Sequence, residues 1–197
     1  MKRASGILLI AGALVAGQVN AEEAGMQKAA FGAGCFWGVE KVFGDLPGVL
    51  STQVGYTGGS LKNPTYEAVC NSDTGHAEAV EITYDPSKIS YEDLLEIFWM
   101  HHDPTTPDQQ GNDVGHQYRS VIFYYTPAQK VAAARSWEAL EKSGIFKNPI
   151  VTEIEEAHTF YPAEAYHQKY LKKNPFGYCH IQLQSKKIRE VLKASKI

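Results

Sequence analysis

Between His76 and Tyr84 the sequence alternates residue by residue, and an extended strand sorts such a segment into two faces. Glu78, Val80, Ile82 and Tyr84 fall on one face, and Ala77, Ala79, Glu81 and Thr83 on the other. Asp85-Pro86 ends the strand. The first face carries the large apolar side chains, so it is expected to look inward and to take Glu78 with it. The two alanines leave the opposite assignment open. A carboxyl turned in among apolar groups keeps its proton to higher pH, which suits a general acid.

Helical and extended patterns interleave around this strand. Lys28 to Ala33 reads as a short strand that ends at Gly32-Ala33-Gly34. A helix follows, marked by Val39, Val42, Phe43 and Leu46 and stopped at Pro47-Gly48. Val49 to Tyr56 is a second strand. Ser90 and Asp93 have the spacing of a capping box, opening a helix that buries Leu94, Leu95, Phe98 and Trp99. Tyr118 to Tyr125 is extended, and Thr126, Pro127 and Gln129 start a helix that stops at Gly144. Ile150 to Glu155 is expected as a strand, residues 162–172 as helix, and the basic tail from Lys186 as helix. With no repeat and no linker after about residue 26, residues 22–197 read as one mixed α/β or α+β domain.

The start of the chain reads differently. Lys2 and Arg3 precede an apolar run from Ile7 to Ala16, and Val19-Asn20-Ala21 fits a small-x-small cleavage site. The run is shorter than the roughly 20 residues that span a bilayer. Residues 1–21 are therefore expected to be a signal peptide, with an uncleaved anchor as the alternative. The mature protein is expected to be periplasmic or secreted, in an oxidising compartment, without stable membrane association. A net charge of -3 gives no basic face for nucleic acid. Three cysteines in an exported chain leave at least one thiol without an internal partner.

Cys35, in Gly34-Cys35-Phe36-Trp37-Gly38, sits where a glycine turn feeds a helix N-terminus. Free N–H groups and the helix dipole there favour a thiolate. Phe36 and Trp37 beside it make an apolar, sulfur-friendly cradle. Cys179 lies near the chain end in Gly177-Tyr178-Cys179-His180; it reads as a mobile thiol able to swing onto a distant partner, as a surface thiol, or as half of a fixed disulfide with Cys35. Cys70 reads as a packed small hydrophobe. Tyr66 and Tyr118 are polar aromatics beside turns. His101-His102-Asp103 and Asn112-Asp113 with His116 lack clean ligand spacing, so no metal site is expected.

At these residues the chain closely resembles the peptide methionine sulfoxide reductase A family. The matching motifs run in order over nearly the whole mature sequence: Gly34-Cys35-Phe36-Trp37-Gly38, Gly55-Tyr56-Thr57-Gly58-Gly59, Asn63-Pro64-Thr65-Tyr66, Thr74-Gly75-His76-Ala77-Glu78, Asp103-Pro104-Thr105, and Gly111-Asn112-Asp113-Val114-Gly115 with Gln117-Tyr118-Arg119-Ser120. The resemblance implies a ferredoxin-like α+β two-layer sandwich with a long irregular C-terminal segment. It implies that Cys35 attacks the sulfoxide sulfur, that Phe36 and Trp37 hold the methyl group, and that Glu78 protonates the oxygen. Tyr66 and Tyr118 would hydrogen-bond that oxygen, Asp113 would help hold the polar network, and Cys179 would resolve the Cys35 sulfenic acid as a disulfide. The implied substrates are oxidised proteins or free methionine S-sulfoxide. The implied partner is a thioredoxin-like reductant, with no metal or organic cofactor. Two departures stand out: a single cysteine near the C-terminus, and the export signal, which puts the reductant in question. A Cys/His hydrolase using His76 or His116, and a secreted binding module with a structural disulfide, are the competing expectations.

Overall fold

The computed structural model describes residues 25–179 and 181–195. The expected signal peptide, residues 1–21, lies outside them. Strand β1 (Gln27–Ala33) and helix α1 (Phe36–Gly44) lead into β2 (Val49–Thr57). After α2 (Tyr66–Asn71) come β3 (Ala77–Tyr84) and α3 (Tyr91–Met100). A two-residue ribbon pairs β4 (Gln109–Gln110) with β5 (Asp113–Val114), and a 3-10 turn at His116–Tyr118 precedes β6 (Ser120–Tyr124). Then follow α4 (Pro127–Ser143), β7 (Glu153–Glu156), β8 (Tyr161–Pro162), α5 (Tyr170–Lys173) and α6 (Lys187–Ala194).

The main sheet has the order β7-β6-β1-β3-β2-β8. Its central four strands are all antiparallel, in the order β6-β1-β3-β2. With α1 and α3 as the crossovers, this is the split β-α-β arrangement of a ferredoxin-like α+β fold. β7 extends the sheet in parallel beside β6, and β8 adds to the far edge of β2.

The sequence explains the layers. On β1 and β3, Ala29, Phe31, Val80, Ile82 and Tyr84 join the core beneath α1 and α3, with Phe43, Leu94, Phe98 and Trp99 closing it. Phe31 stacks on both Phe43 and Phe98, at ring separations of 5.3 and 5.2 Å. Ala30, Ala77, Ala79, Val121 and Phe123 form a smaller cluster on the other face. The alanines of β3 are thus buried too, yet the Glu78 face is the main core face, as its large side chains predict. Ser90 and Asp93 form the expected capping box, and Thr126 caps α4 ahead of Pro127.

The later chain departs from expectation in two places. The strand expected at 150–155 pairs only from Glu153, because the Ile150 N–H donates to Glu141 and the Val151 N–H to the Pro104 carbonyl. The helix expected over 162–172 is replaced by β8, a run of turns and the single turn of α5. The Gln168 amide pairs with both backbone groups of Val54, Glu164 accepts from the Tyr66 N–H, and Lys169 takes a left-handed φ of 55°. These ties to distant strands outweigh local helix formation. The described residues between 174 and 186 follow without a strand or α-helix, as an irregular C-terminal segment was expected to do. Helix α2 escaped the sequence reading because one short turn capped by Thr65 has no periodicity to show.

Candidate active site

The register of β1 and β3 sets the site. Phe31 lies opposite Val80, which carries Glu78 to the end of β1 where the chain turns at Gly34 (φ 87°) into α1. A left-handed turn there suits glycine, since a side chain would clash with the backbone. Cys35 then stands at the N-cap, with the first helical N–H groups unpaired. One of them finds a distant acceptor: the Phe36 N–H donates to Glu78 Oε2 at 3.0 Å. The acid is 1% exposed and Cys35 8%.

Burial dominates the electrostatics of both groups. It raises the Glu78 carboxyl to about 8, against the Phe36 N–H that favours the anion, and nearby Asp113 adds to the rise. It also pushes the Cys35 thiol well above the usual cysteine range, with Glu78 as the next cause, while the Trp37 N–H pulls the other way. The thiolate expected from a helix start is therefore not the resting form of Cys35. Removal from water outweighs the helix dipole, and Cys35 and Glu78 both rest with their protons.

Tyr66 and Tyr118, both half-buried, complete the cluster. Burial raises each phenol first, and each also feels Glu78, Cys70 and Cys35. Both phenols keep their protons and lie near enough to feel the thiol and the acid. Asp113 influences Cys35 and Glu78 and accepts a hydrogen bond from the Tyr178 hydroxyl at 3.1 Å. Phe36 and Trp37 make one wall, so the structure brings together the residues singled out around Cys35. Cys179 joins them: its Sγ lies 3.4 Å from where a Cβ on Gly38 would stand, and its charge is felt at Cys35. Cys35, Cys70 and Cys179 are all free thiols here.

The turns after β8 supply residues that the sequence reading missed. The Trp37 Nε1–H donates to His167 Nδ1 at 3.0 Å, and the Trp37 indole stacks on Tyr170 at 3.8 Å. His167 also packs against Phe36, Tyr66 and Tyr166, at 5.1, 4.6 and 4.1 Å. Because Nδ1 accepts, the neutral imidazole carries its proton on Nε2, and burial lowers its pKa to favour that form. Glu164 gathers the Tyr66 N–H at 2.9 Å and the Tyr56 hydroxyl at 3.0 Å. A histidine and a glutamate among three tyrosines between residues 161 and 170 were the available signal. Cys70 sits half-buried as the acceptor of a hydrogen bond from Tyr66, closer to the site than a plain packing residue.

The histidines proposed as partners for a Cys/His hydrolase are committed elsewhere. His76 Nδ1 accepts the Gly59 N–H at 3.1 Å and its Nε2 meets the Leu61 carbonyl at 2.7 Å. His116 pairs with Asp108 at 3.0 Å. What remains beside Cys35 is an acid and two phenols able to protonate and hold an oxygen, next to a wall of rings. On this fold, that is the chemistry of a thiol-based oxidoreductase.

The comparisons with known proteins agree. Residues 27–196 match the family model described as peptide methionine sulfoxide reductase. The chain is 60% identical over 155 residues to a peptide methionine sulfoxide reductase MsrA from Methanothermobacter thermautotrophicus, covering 79% of this chain and 92% of that protein. Among solved structures it is similar to reduced Mxr1 from Saccharomyces cerevisiae, with TM-score 0.76, 35% identity and coverage of 82% and 94%. It is also similar to methionine sulfoxide reductase A of Corynebacterium diphtheriae, with TM-score 0.68, 39% identity and coverage of 79% and 78%. The chain belongs to the peptide methionine sulfoxide reductase family, and within it to the A-type reductases.

Holding Glu78 neutral destabilises the fold. Below the ordinary carboxyl value of 4.5 the acid is neutral in both folded and unfolded chains. Between 4.5 and about 8 only the unfolded chain ionises it, so stability falls as pH rises through that window. At about 1.4 kcal/mol per pH step, the cost reaches about 3 kcal/mol at pH 7. Glu78→Gln, which can still accept from Phe36, is expected to raise the urea midpoint at pH 7 and leave it unchanged near pH 4. Equal midpoints at both pH values would contradict a neutral buried acid.

Proposed function

We propose that this protein reduces methionine S-sulfoxide, peptide-bound or free, through a Cys35 sulfenic acid. The observation that carries the reading is the burial of Glu78, bonded to the first turn of the helix that presents Cys35, because burial raises its carboxyl to about 8 and keeps a proton on it. A sulfoxide oxygen leaves sulfur only when protonated, and a neutral carboxyl flanked by two phenols supplies the proton and two hydrogen bonds. Phe36 and Trp37 receive the S-methyl group, with the indole fixed by His167 and Tyr170. Asp113, tied to Tyr178, holds the polar side of the site. The choice of the S epimer rests on the family resemblance.

The first step balances without added protons. Cys35 attacks sulfur as Glu78 protonates the oxygen, and the thiol proton that Cys35 releases replaces the one Glu78 has given. The oxygen passes to Cys35, methionine leaves, and Cys35 becomes a sulfenic acid. The Cys179 thiol then attacks the Cys35 sulfur. The S–S bond forms as the S–O bond breaks, and water departs. A thioredoxin-type dithiol reduces the resulting disulfide by exchange. The exposed Cys179 offers it an accessible sulfur. The Mxr1 protein of yeast has itself been solved in complex with Trx2. No metal or organic cofactor enters this scheme.

Glu78 sets the pH dependence. Methionine release in a single turnover is expected to hold steady below pH 7 and to fall above about pH 8, as Glu78 loses its proton. The raised Cys35 thiol works in the opposite sense, gaining with pH. Glu78→Gln is expected to lower the rate by about 10² to 10⁴ and to remove the descending limb. Cys179→Ser should release one equivalent of methionine and then stop when thioredoxin is the reductant; sustained cycling would remove its resolving role. We also propose that Lys2 to Ala21 directs export, so that the mature protein begins at Glu22. N-terminal sequencing of protein recovered from the periplasm or medium tests this, and a chain beginning at Met1 would refute it.

A further inference from the structure

Cys179 stands in a stretch that has no ladder of its own. The described residues between 174 and 186 form no strand or α-helix, and Phe176, Tyr178, Cys179 and Leu183 are all exposed. Something else must hold the thiol in place. Three contacts do so among the described residues. The Tyr178 hydroxyl donates to Asp113 at 3.1 Å, the Gln184 N–H donates to the Met100 carbonyl at 2.9 Å, and Ile181 packs on the core. Of the apolar side chains described between 174 and 187, Ile181 is the one that does so.

The seat of Ile181 is specific. It forms one wall of a small hollow shared with Ala33, Val39, Val42, Phe43, Phe98 and His101. Its Cγ1 lies 2.8 Å from where a Cβ on Gly38 would stand, closer than two carbon atoms can approach. The missing side chain of Gly38 is therefore the hole that Ile181 fills. Cys179 Sγ lies 3.4 Å from the same point. Gly38 is three residues after Cys35, and residues three apart are neighbours on a helix surface. Seating Ile181 on Gly38 thus hangs the Cys179 thiol over the first turn of α1, on the side that carries Cys35.

We propose that Ile181, docked on Gly38, is a positioning residue for the disulfide step. This rests on the reading of Cys179 as the resolving thiol. Ile181 touches neither the sulfoxide nor the reacting sulfurs; it acts by raising the effective concentration of Cys179 beside the Cys35 sulfenic acid. In that step Cys179 is oxidised, the Cys35 sulfur is reduced from sulfenic acid to disulfide, and the hydroxyl leaves as water with the Cys179 proton. Without the anchor, the thiol is held only by the Tyr178 and Gln184 hydrogen bonds on either side and meets Cys35 less often.

The experiment separates the two half-reactions. Full-length protein, reduced and then freed of reductant, is mixed with one equivalent of methionine sulfoxide. Methionine release is followed together with thiol loss and with dimedone trapping of sulfenic acid. Ile181→Ala is expected to release methionine within about twofold of the parent rate, yet to close the disulfide at least tenfold more slowly and to accumulate dimedone-reactive enzyme. Ile181→Val, which refills the hollow, should restore closure to within about threefold. Gly38→Ala, a change that favours a helix but fills the seat, should also slow closure. Closure at the parent rate in Ile181→Ala would overturn the proposal, as would an equal slowing of methionine release, which would mark a general structural role. Cys179→Ser is the control. If it too loses thiols at the parent rate and traps no dimedone, the resolving role itself fails. If it stalls as sulfenic acid while Ile181→Ala closes normally, the positioning role alone fails.

Discussion

One hydrogen bond ties the fold to its chemistry: the Phe36 N–H to Glu78. It joins the first turn of α1 to β3 across 42 residues of sequence. It gives an orphan helix donor a partner, and it gives a buried carboxyl one of the few acceptor contacts available to it. A fully desolvated anion would be costly at that position, so the acid stays neutral. That neutrality turns a structural contact into a proton source. The cost falls on stability and is tolerated because the surrounding aromatic core is large.

Around that bond the site is assembled from two kinds of structure. The ferredoxin-like core supplies Cys35, Phe36, Trp37 and Glu78 at the junction of β1, α1 and β3, where register and helix geometry leave little freedom. The turns after β8, α5 and the segment from 174 onward supply His167, Tyr170, Tyr178 and Cys179, held by contacts with Trp37 and Gly38 of α1 and with Asp113 of β5. The division matches the roles proposed for them. The acid that acts on the oxygen and the thiol that attacks sulfur sit on β3 and at the start of α1. The thiol that must later meet another protein sits on an irregular segment, exposed but anchored.

The same division explains what the sequence made legible. The alternation of β3 placed Glu78 inward, the capping box of α3 and the Thr126-Pro127 start of α4 marked their beginnings, and Gly34-Cys35 marked the turn into α1, because each is a local signal. Residues 162–172 were misread as helix because their order comes from Gln168 reaching Val54 and Glu164 reaching Tyr66, pairings of high sequence separation without period. His167 was missed for the same reason. The charge state of Cys35 was misjudged because a sequence shows the helix dipole but not the depth of burial that overrides it. The approach of Cys179 to Gly38 lay beyond any pattern, since it depends on where an irregular segment crosses a helix.

The two margins of the sheet have a consequence of another kind. β8 is two residues long and one of them is Pro162, which has no N–H to offer a further strand. At the opposite margin, β7 carries Glu153, Glu155 and Glu156 in four residues. A proline-blunted edge and an acidic edge both resist edge-to-edge pairing with other chains. The sheet is thereby closed to recruitment into aggregates, a useful property in a protein whose family works on oxidised polypeptides, where loosened strands of other proteins are close at hand.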